Sequence, residues 1–350
     1  MTSDKKKKHW IGNIFKYGLS FALSGVFLYI AFLDVDFDKV IMYISDASIF
    51  WIIVFISSLM FAHLLRAIRW KIILRSVKKD TSLLNLFGAL MVGYGVNCVV
   101  PRLGEVSRAV VLGRWENLSR SSMFGTVILE RVIDFIFLGL TVLVTEIIWT
   151  ENLNKSFPWL ESTLYITMAA LAGIILFLYL TIRFKEKFYG FIIKFAGRFS
   201  DKAAEKLAYI FDMLTTGFAS LKGTKNYVWT IILSILIMMT YALSSFIGFY
   251  TVGMQHIQPV NYEMGWVLMS ISAIGVVIPT PGGTGSYHAL AKAALVLLFG
   301  FGESISLAYA FLTHIISYII FVITSLLFFF FLNKQHDNLI KIVETEMEDL

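Results

Sequence analysis

Residues 97–108 read Asn97-Cys98-Val99-Val100-Pro101-Arg102-Leu103-Gly104-Glu105-Val106-Ser107-Arg108, and they interrupt a long apolar region near its middle. A second apolar region is interrupted by Ile278-Pro279-Thr280-Pro281-Gly282-Gly283-Thr284-Gly285-Ser286-Tyr287-His288. Both stretches place helix-breaking and polar residues where the flanking sequence is typical of a membrane-embedded segment. Because unpaired backbone groups are costly in hydrocarbon, irregular chain at that depth must face protein or a water-filled cavity. Two such interruptions in corresponding halves of a chain point to a transporter's binding site.

The composition argues strongly against a soluble globular protein. Of the 350 residues, 57% are hydrophobic and only 15% are charged, with a mean hydropathy of +0.74. Soluble domains carry about 25% charged residues, and the apolar runs of this chain recur at about the length needed to cross a bilayer. The net charge of +6 reflects where the basic residues flank the spans, so no nucleic acid is expected as a partner. The single cysteine, Cys98, excludes an intrachain disulfide and a multi-cysteine metal site.

The sequence predicts an all-α polytopic membrane protein with one integral membrane domain over 1–350. The six predicted full transmembrane helices lie at about 14–33, 48–66, 123–149, 163–183, 227–252 and 305–332. The interrupted regions, 82–113 and 263–300, are predicted to be re-entrant helical hairpins. The run at 14–33 is too long for a signal peptide and lacks a cleavage pattern, so we expect it to stay attached.

The placement of lysine and arginine predicts the topology. With the N-terminus in the cytoplasm, nearly all basic residues between spans fall inside, and only Lys39 and Lys155 fall outside. Residues 184–225 then form a cytoplasmic linker with apolar residues at helical spacing. This spacing fits amphipathic helices on the membrane surface or a helical hairpin packed on the protein. The same topology makes about 48–149 and about 227–332 an inverted repeat.

The first interruption carries Arg102, Glu105 and Arg108 around a proline and a glycine. Arginine grips a phosphate with a planar fork, so these residues suit a lipid phosphate. A structural ion pair of Glu105 with either arginine is the alternative. The neighbouring Asn97 is a further candidate for substrate binding.

The span at 123–149 contains Glu130-Arg131-Val132-Ile133-Asp134. The two carboxylates are one turn apart on one helix face, and Arg131 is placed to pair with Asp134. Because charges inside a membrane are costly, such a cluster indicates a functional site. The alternative is that it only fixes this helix to the first hairpin.

The second interruption is rich in glycine, which permits close backbone approach and unusual dihedral angles. A helix beginning near Thr284 would aim free N–H groups at an anion. The candidate binding residues in and after this turn are Thr280, Gly282, Gly283, Gly285, Tyr287, His288 and, in the last span, His314. A histidine that is merely hydrogen-bonded to a neighbour is the alternative for His314, and Lys292 could hold an anion or extend outward.

The sequence shows no HExxH, CxxC or GxSxG motif, so no catalytic residue and no metal or other cofactor is predicted. A further basic cluster, Arg66-Ala67-Ile68-Arg69-Trp70-Lys71, mixes an aromatic residue with cations beside a span. That mixture suits the zone of anionic lipid headgroups, where it would anchor the helix.

Three motifs together resemble the transmembrane-domain family of lysylphosphatidylglycerol synthase/flippase proteins. They are Asn97 with 100–108, then 130–134, then 279–285, and the resemblance extends over about 10–333. It implies translocation of a phospholipid or a related lipid-linked anion between leaflets. The family also includes proteins described as glycosyltransferases that act on polyisoprenyl lipids.

Two departures from the family pattern bear on these expectations. The chain ends shortly after the last span, so the soluble aminoacyltransferase domain, and with it lysyl transfer, is not expected. Many members carry a glutamate soon after the glycine-rich turn, where this chain has Tyr287 and His288. We therefore expect a headgroup preference different from theirs.

The sequence as a whole predicts a lipid flippase of the inner cell membrane, multi-pass, with both termini in the cytoplasm. The expected partner is a membrane phospholipid or lipid-linked anion, and a homo-oligomer is compatible with the sequence. Arg102, Arg108 and Arg131 would hold phosphate in a polar cavity at the two hairpins, while Glu105, Glu130 and Asp134 would orient them. The alternative is a membrane glycosyl- or headgroup-transferase that acts on a lipid-linked substrate.

Overall fold

The structure is a computed structural model that describes residues 3–75, 77–149 and 223–335, with scattered positions between 165 and 208. Within these residues all regular secondary structure is helical, and no strand occurs. The prediction of an all-α protein is therefore confirmed. The helices are α1 Ser3–Phe32, α2 Phe37–Ser45, α3 Ile49–Leu74, α4 Leu83–Val99, α5 Leu103–Trp115, α6 Arg120–Ile148, α7 Thr224–Thr251, α8 Tyr262–Val277, α9 Ser286–Leu297 and α10 Glu303–Gln335.

Three of the described helices are long and apolar enough to cross a membrane. They are α3, α7 and the part of α10 that runs from Glu303 to Leu332. A fourth span results if the bent pair Gly18–Phe32 and Phe37–Ser45, whose axes meet at 92°, is taken as one. The chain is thus an all-α membrane protein, and the number of six full spans stays a prediction.

The predicted spans coincide with helices wherever the chain is described. The spans at 14–33, 48–66, 123–149, 227–252 and 305–332 lie in or largely in α1, α3, α6, α7 and α10. α3 continues two turns beyond the predicted end at residue 66, to Leu74. The span at 163–183 and nearly all of the linker at 184–225 lie outside the described residues.

Both interruptions are breaks between two helices. The first separates α4, which ends at Val99, from α5, which begins at Leu103. The second separates α8 from α9 and contains a single turn of 3₁₀ helix at Pro281–Gly283. α9 begins at Ser286, two residues later than the predicted start. The re-entrant path of the two stretches and their inverted relation stay predictions.

The chain divides into two compact units. The first unit comprises Met1–Met60, Gly93–Gly104 and Met239–Leu326. The second unit comprises Phe61–Val92, Glu105–Met238 and Leu327–Leu350.

Close backbone contact shapes the first break, inside the first unit. Arg102 adopts a left-handed conformation (φ 65°), which lets the chain reverse directly after Pro101. The Gly104 N–H then donates a hydrogen bond to Oδ1 of Asn97 (2.7 Å). A Cβ atom at position 104 would lie only 2.0 Å from the carbonyl oxygen of Gly93. Gly104 is therefore required because the two helices approach each other at this point.

A buried carboxylate joins two loops at one end of the second unit. Glu116 accepts hydrogen bonds from Lys78 Nζ (2.6 Å), Ser82 N–H (3.0 Å) and Asn85 Nδ2 (2.7 Å). Burial alone would raise the pKa of Glu116, but the hydrogen bonds from Lys78 and Asn85 outweigh it, so the pKa lies below its usual value. The ionised carboxylate is therefore the form that stabilises the loops.

We predict that Gly104→Ala destabilises the protein by roughly 1–3 kcal/mol, because the new methyl group meets backbone that cannot move aside. Gly25→Ala is the matched control, since a Cβ at residue 25 meets nothing within 4 Å. Thermal unfolding of the purified protein in detergent measures both variants. Equal midpoints for the two would contradict the close contact.

We predict that the wild-type protein loses stability as the pH falls from about 6 to about 3, in part through Glu116. A carboxyl group whose pKa is lowered by folding stabilises the protein above its unfolded pKa, and this contribution disappears as the pH drops through the folded pKa. Glu116→Gln should be less stable than the wild type near neutral pH and show a shallower decline. Thermal midpoints measured across this range test the prediction, and parallel curves would refute it.

Candidate functional site

Seven charged side chains of the second unit form what we call the arginine–carboxylate cluster. α3 contributes two arginines, α5 a glutamate and an arginine, and α6 two carboxylates and an arginine. Its members are Arg66, Arg69, Glu105, Arg108, Glu130, Arg131 and Asp134.

Two carboxylates of α6 lie at the centre of the cluster. Glu130 and Asp134 are one turn apart and so share a helix face. Arg66 Nη2 lies 2.7 Å from both Glu130 Oε1 and Asp134 Oδ2. Arg69 Nη2 lies 3.3 Å from Glu130 Oε1 and also pairs with Asp134, while its Nη1 donates to Ser234 Oγ (2.8 Å). Each carboxylate is thus clamped by two arginines that are themselves one turn apart on α3.

Arg108 closes the cluster from α5. Its Nη1 lies 2.7 Å from Glu130 Oε2, and its guanidinium stacks 4.9 Å from the ring centre of Trp70. Trp70 is in turn fixed by a hydrogen bond from its Nε1 to Thr126 Oγ1 (3.1 Å). Glu130 therefore receives arginine contacts on both of its oxygens. Such pairing is what makes a fully buried charge tolerable.

Arg131 forms the accessible edge of the cluster. Its Nη2 lies 3.0 Å from Asp134 Oδ2, as predicted from their spacing, and 3.6 Å from Glu130 Oε1. Its Nη1 lies 3.8 Å from Glu105 Oε1. The side chains of Arg131 and Glu105 are 32% and 30% exposed, whereas those of Arg69 and Glu130 are fully buried.

The charges in the cluster do not cancel. Over the described residues, its four arginines stand against three carboxylates, a formal excess of one positive charge, and several members, Arg131 and Glu105 among them, have further contacts. A low-dielectric surrounding strengthens the electrostatic interactions within such a cluster.

The structure corrects the interpretation of Arg66 and Arg69. The sequence pattern placed them among lipid headgroups, but both side chains are buried and paired with α6. The physical reason is that Glu130 and Asp134 need partners in an apolar surrounding, and α3 supplies them. The spacing offered a signal for this pairing, since 66 and 69 share a face of α3 as 130 and 134 share a face of α6.

The second interruption forms a hydrogen-bonded turn in the first unit, which we call the glycine turn (residues 279–288). Gly282, Gly283 and Gly285 have φ values of 57°, 79° and 88°, in a region that residues with a Cβ atom rarely adopt. Ser286 fixes the turn because its hydroxyl lies 2.9 Å from the Thr280 hydroxyl and donates to the Gly275 carbonyl (2.7 Å).

Two histidines, His288 of the glycine turn and His314 of α10, have their ring centres 4.6 Å apart. His314 Nε2 lies 3.0 Å from the carbonyl oxygen of Gly282, so this nitrogen carries the proton and donates it. The Gly285 N–H donates to Nδ1 of His288 (3.1 Å), so Nδ1 is unprotonated and the proton of this ring is on Nε2. Tyr287 stacks on His314, with ring centres 5.4 Å apart, and its hydroxyl lies 3.0 Å from that of Thr313.

A cavity of about 290 Å³ adjoins the glycine turn within the first unit. His288, but not Tyr287, is among the residues that line it. The lining residues are Leu28, Phe32, Thr284, His288, Phe311, His314, Ile315, Tyr318 and Ile319.

The structure thus places the predicted site residues in separate groups. Five of them, Glu105, Arg108, Glu130, Arg131 and Asp134, belong to the arginine–carboxylate cluster. The residues Thr280, Gly282, Gly283, Gly285, Tyr287, His288 and His314 belong to the glycine turn or lie against it. The prediction that both surround one cavity stays a prediction.

Two further candidates, Asn97 and Lys292, form hydrogen bonds or ion pairs with nearby residues, and Arg102 forms no ion pair among the described residues. Asn97 accepts a hydrogen bond from the Gly104 N–H at the first break. Lys292 is buried, donates a hydrogen bond to the Leu33 carbonyl (2.6 Å) and pairs with Glu303 (2.7 Å). Arg102 is exposed and forms no ion pair with any residue that the structure describes. Over those residues there is also no group of three or more potential metal ligands.

We predict that Arg69→Met destabilises the protein by about 3–5 kcal/mol, because it leaves Asp134 and Glu130 buried with fewer cations. Lys71→Met is the control, since Lys71 lies in the same helix and has no polar partner among the described residues. Thermal unfolding in detergent compares the two. A loss for Arg69→Met no larger than that for Lys71→Met would contradict the described clamp.

Comparisons with known proteins find similar membrane proteins. Among curated proteins, the chain is similar to a UPF0104 membrane protein of Methanothermobacter thermautotrophicus. The two are 28% identical over 233 residues, which cover 63% of this chain and 67% of the relative. It is also similar to a UPF0104 membrane protein of Methanocaldococcus jannaschii, with 24% identity over 317 residues, or 85% of this chain and 89% of the relative.

No solved structure matches the chain. The family model described as the lysylphosphatidylglycerol synthase transmembrane region matches residues 17–325, a range that includes both breaks and the whole arginine–carboxylate cluster. The resemblance inferred from the three motifs is thereby confirmed, and the chain belongs to this family of membrane proteins.

Proposed function

We propose that the protein moves an anionic phospholipid, or a related lipid-linked anion, between the leaflets of the membrane. One observation carries the proposal: over the described residues, the arginine–carboxylate cluster holds four arginines against three carboxylates, and the guanidinium of Arg131 lies at its exposed edge. A lipid phosphate is the anion that a membrane supplies in quantity, and a guanidinium binds it with two parallel hydrogen bonds.

The buried part of the cluster would keep its binding edge in place. Arg66, Arg69 and Arg108 neutralise and orient Glu130 and Asp134, and these carboxylates in turn hold Arg131. A site that is already ordered loses little entropy when a ligand binds. The headgroup would therefore meet a preformed guanidinium.

At the edge, the phosphate would take the place beside Arg131 that Glu105 now occupies. The 3.8 Å separation between Arg131 Nη1 and Glu105 Oε1 exceeds the usual hydrogen-bond length. A phosphate oxygen that approaches to hydrogen-bond distance would gain a shorter contact with this guanidinium. Glu105 would then face the cationic group of a headgroup that carries one.

Arg102 is a second candidate for phosphate binding. It is exposed at the first break, next to Pro101, and has no ion-pair partner among the described residues. Its left-handed backbone (φ 65°) is unusual for a residue with a side chain, and such conformations concentrate at functional sites.

The family supports a lipid as the substrate, since the description of its model names a phospholipid synthase. We further propose that the protein resides in the inner cell membrane with both termini in the cytoplasm. The inverted repeat of about 48–149 and 227–332 belongs to this proposal, because transporters of this kind often carry such repeats.

We predict that Arg131→Gln slows lipid movement by about tenfold or more, the effect of losing a charge-assisted hydrogen bond. The assay uses the full chain reconstituted in vesicles with phosphatidylglycerol that carries a fluorescent label on an acyl chain, leaving its headgroup unmodified. Dithionite, which reaches only the outer leaflet, reports the rate of exchange. Arg131→Lys should retain part of the rate because it keeps the charge without the planar fork.

Arg75→Gln is the matched control, an exposed arginine at the end of α3 outside the cluster. Mass spectrometry of the lipid after the assay separates transport from a transferase, since a transferase changes the mass of its substrate. A rate for Arg131→Gln equal to that of Arg75→Gln, or a changed lipid mass, would overturn the proposal.

A further inference from the structure

The cavity beside the glycine turn has a different character from the arginine–carboxylate cluster. None of its nine lining residues is a lysine, arginine, aspartate or glutamate. Its walls are made mainly by Leu28, Phe32, Phe311, Ile315 and Ile319. An apolar chain would fill these walls, whereas a phosphate would find no cationic side chain there.

One buried donor of this cavity has no partner. His288 is 2% exposed, and its Nε2 makes no hydrogen bond within the described part of the chain. Because the Gly285 N–H occupies Nδ1, the ring is neutral and its proton is on Nε2. A buried N–H without an acceptor is unfavourable by about 1–3 kcal/mol unless a ligand supplies one. This N–H is therefore suited to an acceptor that a bound molecule supplies.

The neighbouring polar groups do not satisfy this donor, and their own protons are used elsewhere. His314 donates from Nε2 to the Gly282 carbonyl, and the Tyr318 hydroxyl donates to the Cys98 carbonyl. The carbonyl of Thr284 already accepts a hydrogen bond from Ser24 (2.8 Å). Among the ring and phenol donors that line the cavity, His288 Nε2 is thus the one left for a bound molecule, within the described residues.

We propose that this cavity binds the upper part of a lipid acyl chain, and that the ester carbonyl of the chain accepts a hydrogen bond from His288 Nε2. The ester carbonyl is a neutral acceptor attached to an apolar chain, which matches a neutral ring donor among apolar walls. The inference rests on the proposed function in taking the occupant to be a membrane lipid. It adds the chemical class: an ester-linked lipid, bound through its chain region.

The size of the cavity fits a part of a lipid. Ligand pockets usually measure about 300–1,000 Å³, so 290 Å³ holds one chain segment with its ester group and leaves the second chain in the bilayer. A polyisoprenyl chain would also fit the apolar walls, but it has no carbonyl to offer to His288.

Native mass spectrometry of the purified full-length protein tests the inference. An equimolar mixture of diacyl and dialkyl phosphatidylglycerol offers two lipids with the same headgroup and chain length, of which only the first has ester carbonyls. We expect the wild type to bind the diacyl lipid about fivefold more tightly, the size of one net hydrogen bond.

Two substitutions at His288 test the roles of its two ring nitrogens separately. His288→Asn keeps an acceptor near the Nδ1 position for the Gly285 N–H but does not reach into the cavity, so the ester preference should vanish. His288→Gln places an amide donor at about the reach of Nε2 and should retain most of it. Leu28→Trp fills the cavity and should remove the preference without changing the histidine.

The outcomes distinguish this inference from the proposed function. Equal binding of diacyl and dialkyl lipid by the wild type overturns the inference, as does a preference that survives in both His288→Asn and Leu28→Trp. The comparison of the two lipids uses the wild-type protein alone. It therefore decides the question even if one of the variants fails to fold. Failure of the proposed function is a separate result, in which reconstituted vesicles exchange no lipid although the ester preference is present.

Discussion

The need to neutralise two carboxylates inside an apolar helix governs the second unit of this protein. An isolated charge in such a surrounding is unfavourable by several kcal/mol, so Glu130 and Asp134 can stay ionised only if cations reach them. Arg66, Arg69 and Arg108 meet this need from two other helices. The same pairing fixes how α3, α5 and α6 face one another and why Trp70 lies under Arg108.

The charges of the cluster are unequal over the described residues, and this is why we propose a binding role for it beyond a structural ion pair. Three arginines are enough to hold two carboxylates, and the fourth, Arg131, lies at an edge where a third of its side chain is exposed. The first unit carries a site of the opposite kind, a neutral cavity with one buried donor at His288. Under the two proposals, the cluster would take the charged headgroup of a phospholipid, and the cavity would take an ester-linked chain.

Much of this arrangement could be predicted from the sequence, because local spacing determines it. The breaks near Pro101 and in the glycine turn followed from the properties of proline and glycine, and the pairing of Arg131 with Asp134 followed from helical periodicity. Whether the side chains of Arg66 and Arg69 point toward the headgroups or into the protein could not be predicted in this way. A cation near the end of an apolar run can extend to the headgroups or turn inward, and only its partners on another helix decide which.

The protonation of His288 is a second feature beyond the reach of the sequence. It depends on a backbone N–H at Gly285 that points at Nδ1, which in turn depends on a left-handed turn (φ 88°) at that glycine. A histidine three residues after a glycine gives no such information by itself. The start of α9 at Ser286 instead of near Thr284 has the same origin, since the turn uses two more residues before helical geometry begins.

The most direct test of the central claim is the headgroup selectivity of the wild-type protein. Exchange rates of chain-labelled phosphatidylglycerol and phosphatidylcholine would be measured in matched proteoliposomes, with protein-free vesicles as the baseline. An excess positive charge at the binding edge predicts that the anionic lipid exchanges about tenfold faster, the difference expected for one charge-assisted contact. Equal rates for the two lipids, or faster exchange of phosphatidylcholine, would contradict the account.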